Sequence, residues 1–112
     1  MSLSDKKCTP CQGGITPLDR AQAETLLRDT PGWLLTAEAT RIQRTYQFKN
    51  FIEALNFVNA LGKIAESEGH HPDISFGWGY CTAILYTHKI KGLHENDFIL
   101  AAKFNRAYPA AA

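Results

Sequence analysis

The longest regular pattern of apolar positions runs over residues 51–68, where Phe51, Ala54, Leu55, Val58, Leu61, Gly62 and Ala65 recur at helical spacing. It follows Asn50-Phe51-Ile52-Glu53, which has the form of a capping box. Gly69 is placed to stop the helix, because glycine tolerates the left-handed conformation common just past a helix end. Ile52, Phe57, Ala60 and Ile64 widen the stripe beyond what one sheet face needs, which predicts a second packing partner such as another subunit. Before this helix the period is two. Ile42, Tyr46 and Phe48 alternate with Arg41, Gln43, Thr45 and Gln47, predicting a strand over 41–48 that forms a hairpin with a short strand at Trp33-Leu-Leu-Thr36. Arg44 interrupts the apolar face, so its charged end is expected at a sheet edge or in a solvent-filled groove. After the helix, Ile74, Phe76 and Trp78 alternate with Ser75 and Gly77, a tight turn falls on Gly77-Trp78-Gly79-Tyr80, and a β-forming run extends from Tyr80 to His88.

Two further helices are expected. Thr16-Pro17-Leu18-Asp19 reads as a helix start, with Thr16 as cap, Pro17 at the first helical position and Asp19 in the first turn, and the helix runs to about Asp29 before Pro31-Gly32. The last helix spans about His94 or Glu95 to Arg106. Residues 1–15 read as a flexible arm with little to bury, 16–108 as a single domain and 109–112 as a tail. The predicted class is α+β, a four-stranded antiparallel sheet with three helices packed on one face in the order α-β-β-α-β-β-α.

With 112 residues, the chain has room for one core but not two. A net charge of +1, from 12 basic and 11 acidic residues, gives no electrostatic argument for nucleic acid or an anionic membrane. The chain carries no signal-peptide pattern and no apolar run long enough to span a bilayer, so a cytoplasmic location is expected. Cys8, Cys11 and Cys81 are too few for a disulfide framework. Cys81 lies in a strand and reads as core, and Cys8-Thr-Pro-Cys11 reads as part of the arm rather than half of a redox or metal site. Function must therefore be sought in a local cluster.

That cluster is Glu66-Ser-Glu-Gly-His-His-Pro-Asp73. A hairpin turning about Gly79 sets His70 opposite His88 and His71 opposite Thr87. Glu66, four residues before His70, lies one helical turn back and can reach the same place. Three imidazoles and a carboxylate suit proton transfer in both directions near neutrality. The same groups are ligands for zinc or iron, yet adjacent histidines in an extended segment point to opposite faces and cannot easily grip one ion together. Pro72 holds His71 in an extended conformation. Asp97, in the first turn of the last helix, offsets the helix dipole whether or not it does anything else. Trp33 and Trp78 read as core or pocket wall.

Glu66-xxx-His70-His71-Pro72, followed after five intervening residues by Trp78, after nine more by His88 and after eight more by Asp97, resembles the signature of the pterin-4a-carbinolamine dehydratases. Gly32-Trp33, Phe48-Lys49-Asn50-Phe51, Thr87-His88 and Gly92-Leu93 agree with it, and the likeness covers residues 16–106. The resemblance implies dehydration of a 4a-hydroxytetrahydropterin to the quinonoid dihydropterin, recycling the cofactor of aromatic amino acid hydroxylases. It implies a homodimer or homotetramer, an aromatic amino acid hydroxylase as a possible partner, and no metal or organic cofactor, the pterin being the substrate. His70, His71, His88 and Glu66 are the expected catalytic set. Gly69, Pro72, Trp78, Tyr86, Thr87 and Lys89 are expected around the substrate. A dimerisation or regulatory module and a role in molybdopterin metabolism stand as alternatives. The chain departs from the family pattern at Gly69, Gly79, Cys81 and His94, the last where threonine or serine usually caps the final helix.

Overall fold

The computed structural model describes residues 3–9 and 15–109. The elements are helix α1 (Arg20–Leu27), strands β1 (Leu34–Thr36) and β2 (Arg41–Gln47), helix α2 (Phe51–Glu68), strands β3 (Asp73–Gly77) and β4 (Tyr80–Leu85), and helix α3 (Glu95–Ala107). Short 3-10 turns lie at Leu3–Asp5 and His88–Ile90. The strands form one antiparallel sheet in the order β1-β2-β4-β3. The α+β class and element order expected from the sequence are those observed.

Alternation explains why only one sheet face is covered. Ile42 and Tyr46 of β2 register with Leu85 and Cys81 of β4, and all four are buried. Leu35 of β1 and Ile74 and Phe76 of β3 extend the same face into the core. On the other face the hydroxyls of Thr45 and Thr82 meet at 2.8 Å in an exposed setting. Against the covered face lies α3, whose Phe98, Leu100, Ala101 and Phe104 are fully buried, each large side chain contributing about 1.5–3 kcal/mol of apolar burial.

The ends of α2 follow from its sequence. Asn50 caps the start, its side chain accepting from Glu53 N at 2.9 Å, while Glu53 reaches one residue further back than a full capping box, to Lys49 N at 3.3 Å. At the other end Gly69 takes φ 65°. Gly69 N donates to Glu66 O and His70 N donates to Ala65 O, the paired bonds of a Schellman motif. A Cβ at Gly69 would meet nothing within 4 Å, so Gly69→Ala costs conformational energy alone. The expected loss is about 1 kcal/mol, or roughly 4 °C in Tm for a domain of this size, measurable in a thermal melt.

Several sequence expectations give way to tertiary contacts. Helix α1 begins at Arg20 with Asp19 as its cap, because Asp19 and Gln22 exchange side-chain-to-backbone bonds at 2.8 and 2.9 Å; Thr16 and Pro17 precede it, and Leu18 N bonds Leu93 O. The second run ends as a strand at Leu85 rather than His88, because the chain turns back and Thr87 pairs with Gly92. Arg44 lies on an inner strand. Its guanidinium sits over the Tyr46 ring at 4.4 Å and donates to Pro31 O and Asn105 Oδ1, so the charged end is paired with α3 and the chain before β1. The wide stripe of α2 is used largely within the chain: Phe57 packs in T-shaped contact with Tyr46, and Ile64 packs against the core. Phe51 and Ile52 stay exposed. Finally, residues 3–9 of the expected arm lie along α3, with Leu3 buried, because that helix is apolar on more faces than the sheet can cover. Cys11 and the Gly13-Gly14 pair lie outside the described residues.

Candidate active site

The Schellman turn decides where the two histidines go. By bonding its N–H to Ala65 O, His70 folds back beneath the last turn of α2 and is buried. Its Nε2 lies 2.6 Å from Asp97 Oδ1, and the Asp97 side chain is fully buried. His71, one residue on, is exposed and bonds Glu66 Oε1 at 2.8 Å. The rings thus diverge, as extended geometry requires.

Asp97 is the hub of the buried part. Besides Oδ1 at His70, its Oδ2 accepts from Thr87 Oγ1 at 2.8 Å and from His94 N at 3.0 Å. With Thr87 and His94 donating to Oδ2, an ionised Asp97 can only accept at Oδ1 as well. That state assigns the proton to His70 Nε2 and leaves the lone pair on Nδ1 when the ring is neutral. The His94 ring also accepts from Asn96 N through Nδ1 at 3.0 Å, so an imidazole caps α3 at the position where the family usually carries threonine or serine.

The register explains why Thr87, and not His88, meets the carboxylate shared with His70. The last β3–β4 pair is Gly77 with Tyr80, so the turn centres between Trp78 and Gly79, half a residue earlier than the sequence suggested. Continued, that register sets His70 opposite Thr87. His88 follows in the 3-10 turn, exposed, with its ring stacked on Tyr86 at 4.1 Å and Tyr86 carrying the Arg41 guanidinium at 4.5 Å. Among the described residues no hydrogen bond or ring contact joins His88 to His70 or His71. Direct convergence of three imidazoles is replaced by one buried imidazole, His70, with a neighbouring histidine on each of two chain segments. Glu66 reaches His71 rather than His70, because the chain reverses at Gly69 and brings residue 71 back beside the helix.

The remaining expected residues fall around this core. Gly69 is the exposed turn residue, Pro72 is half-buried, Thr87 is buried on Asp97, and Tyr86 is the half-buried platform under His88. Lys89 is exposed on the 3-10 turn. Trp33 is buried, its Nε1 donating to Asn105 Oδ1 at 3.0 Å. Trp78, expected in core or pocket wall, is 72% exposed at the hairpin tip. The residue that sequence reasoning undervalued is Asp97. Its place in the spaced signature was the signal, but only burial and its three donors distinguish it from a dipole-compensating acid. Among the described residues no three His, Cys, Asp or Glu side chains gather as a group that could hold a metal.

The sequence and the fold have counterparts in known proteins. The family model described as pterin 4 alpha carbinolamine dehydratase matches residues 16–107. A protein of Cupriavidus pinatubonensis, named provisionally as such a dehydratase, is 57% identical over 101 residues, covering 90% of this chain and 87% of its own. One from Methylococcus capsulatus, named in the same way, is 59% identical over 102 residues, covering 91% and 90%. A crystal structure of a transcriptional coactivator/pterin dehydratase from Brucella melitensis superposes with a TM-score of 0.79 at 28% identity, over 84% of this chain and all of that one. The structure of a pterin dehydratase-like RuBisCO assembly factor of the alpha-carboxysome shares the fold at a TM-score of 0.60 and 22% identity, over 69% and 89%.

Proposed function

Since the chain belongs to the pterin-4a-carbinolamine dehydratase family, we propose that it is a hydro-lyase that converts a 4a-hydroxytetrahydropterin to the quinonoid dihydropterin and water by histidine acid/base catalysis. The observation that carries this reading is the buried His70–Asp97 pair, with His71 and His88 each one residue from it or from Thr87, its co-partner on Asp97. In the reaction the C4a–O bond breaks, the hydroxyl leaves as water with an added proton, and a ring N–H gives up its proton as the new C=N bond forms. An acid and a base are required. His70 is the base, because Asp97 holds Nε2–H and leaves Nδ1 to take the ring proton, and the carboxylate stabilises the imidazolium that results. His88 is the acid at the departing hydroxyl, and Tyr86 fixes its ring by stacking. His71, held by Glu66, orients the substrate or serves as a further acid/base group. Gly69, Pro72, Trp78, Thr87 and Lys89 surround the pterin, and the reaction uses no metal or organic cofactor.

The same reading places the protein in the cytoplasm, as a homodimer or homotetramer, recycling tetrahydropterin for an aromatic amino acid hydroxylase. Exposed Phe51, Ile52 and Leu34 support self-association. They, with the coactivator named in the Brucella structure, favour one second reading, a dimerisation or regulatory module. The test is the absorbance change as purified protein meets a freshly generated 4a-hydroxytetrahydropterin. Acceleration over the spontaneous reaction is expected, with His70→Ala and His88→Ala each slower by at least about 100-fold. Folded variants that match the wild type refute the assignment, and an inactive, oligomeric wild type supports the module instead.

A further inference from the structure

We infer that residues 3–9 act as a clamp that positions the His70–Asp97 pair, with Glu68 and Asn96 as its anchor points. The inference deepens the dehydratase reading and, for its kinetic consequence, rests on it. The two members of the pair come from different elements, His70 from the turn after α2 and Asp97 from the first turn of α3. The segment grips both elements within two residues of those groups. Cys8 N donates to Glu68 Oε1 at 2.8 Å, two positions before His70. Thr9 N donates to Asn96 Oδ1 at 2.9 Å, and Asn96 Nδ2 returns a bond to Thr9 O at 2.7 Å, one position before Asp97.

These anchors are shielded from solvent. The Asn96 residue is 2% exposed and the Glu68 side chain 11% exposed. Cys8 Sγ lies 3.7 Å from Asn96 O, and burial, followed by the Glu68 carboxylate, pushes the thiol up to about 12, so it stays protonated as a weak donor. The Cys8 backbone N–H, more than any other partner, holds Glu68 below the usual carboxylate range. Lys103 adds a second tie, bonding Ser4 O at 3.1 Å and lying 3.6 Å from Glu68 Oε2. Lys6–Glu95 and Arg106–Asp5 are exposed and contribute little. A chain segment that only covered apolar surface would need Leu3; it would not need its backbone satisfied by side chains next to both members of the pair. A displacement on the order of 1 Å between catalytic groups can cost about 100-fold in rate, which is the sensitivity such a clamp serves.

The test uses the full-length chain with Glu68→Ala, which removes the Cys8 acceptor, Thr9→Pro, which removes the Thr9 donor, and Glu68→Gln, which keeps an acceptor oxygen. Long-range 1H–15N spectra report the His70 tautomer directly. In the wild type and Glu68→Gln, the Nε2–H form is expected to dominate. In Glu68→Ala and Thr9→Pro a mixture of tautomers is expected, with kcat lower by about 10-fold or more and KM nearly unchanged. Variants that melt at lower temperature yet keep the wild-type tautomer overturn the clamp and leave a structural strap. The spectra decide this even if the wild type fails to dehydrate a carbinolamine, so the clamp and the reaction can fail separately.

Discussion

Asp97→Asn is expected to keep the fold and slow dehydration of a 4a-hydroxytetrahydropterin by about two to four orders of magnitude. The amide must set a donor NH2 against a donor on one side or the other. On the Oδ2 side stand Thr87 Oγ1 and His94 N, and the second is a backbone N–H that cannot reverse its role. On the Oδ1 side stands only the His70 ring, which can move its proton from Nε2 to Nδ1. The amide nitrogen therefore faces His70, and the ring adopts the tautomer in which Nδ1 is blocked as a base. Thermal melts should place the variant near the wild type, kinetics should show the loss in kcat, and ring 15N shifts should show the tautomer exchange. A variant with the Nδ1–H tautomer and undiminished kcat would remove His70 from the base role.

Deleting the carboxylate outright tests stability. In Asp97→Ala, His70 Nε2–H, Thr87 Oγ1 and His94 N all lose their shared acceptor in a largely buried site. Unsatisfied buried groups cost about 1–3 kcal/mol each, and breaking a buried pair costs about 3–5 kcal/mol. The unfolding free energy from urea titration should fall by about 3–5 kcal/mol, a large share of the roughly 5–15 kcal/mol of an ordinary domain. Glu66→Ala supplies the control. The His71–Glu66 pair has the same chemistry and nearly the same length, 2.8 against 2.6 Å. Its side chains are 61% and 81% exposed, and an exposed pair is worth at most about 1 kcal/mol. Equal losses in the two variants would show that burial does not set the strength of the Asp97 site.

Much of this protein is determined by local sequence. Asn50 and Gly69 bound α2 because a side-chain acceptor and a residue free to take φ 65° act within one turn. The alternation in β2 selects a sheet face because successive side chains point oppositely. The divergence of His70 and His71 follows from the same rule, and the spaced signature points to the family. Tertiary structure decided the rest. The β3–β4 register differs by one residue from the expected one, and that single step exchanges Thr87 for His88 as the residue facing His70. Asp97 reads in sequence as any acid in a first helical turn. It becomes the hub because α3 is buried at that point and His70 and Thr87, from two other segments, join the local bond from the His94 N-cap. Residues 3–9 read as an arm because their own composition buries little, and their partners Glu68 and Asn96 lie 60 and 87 positions away. Local pattern governs caps, periods and facing directions, since those interactions span a few residues. Which buried group meets which is settled by packing between distant segments, and the composition of any one segment does not encode it.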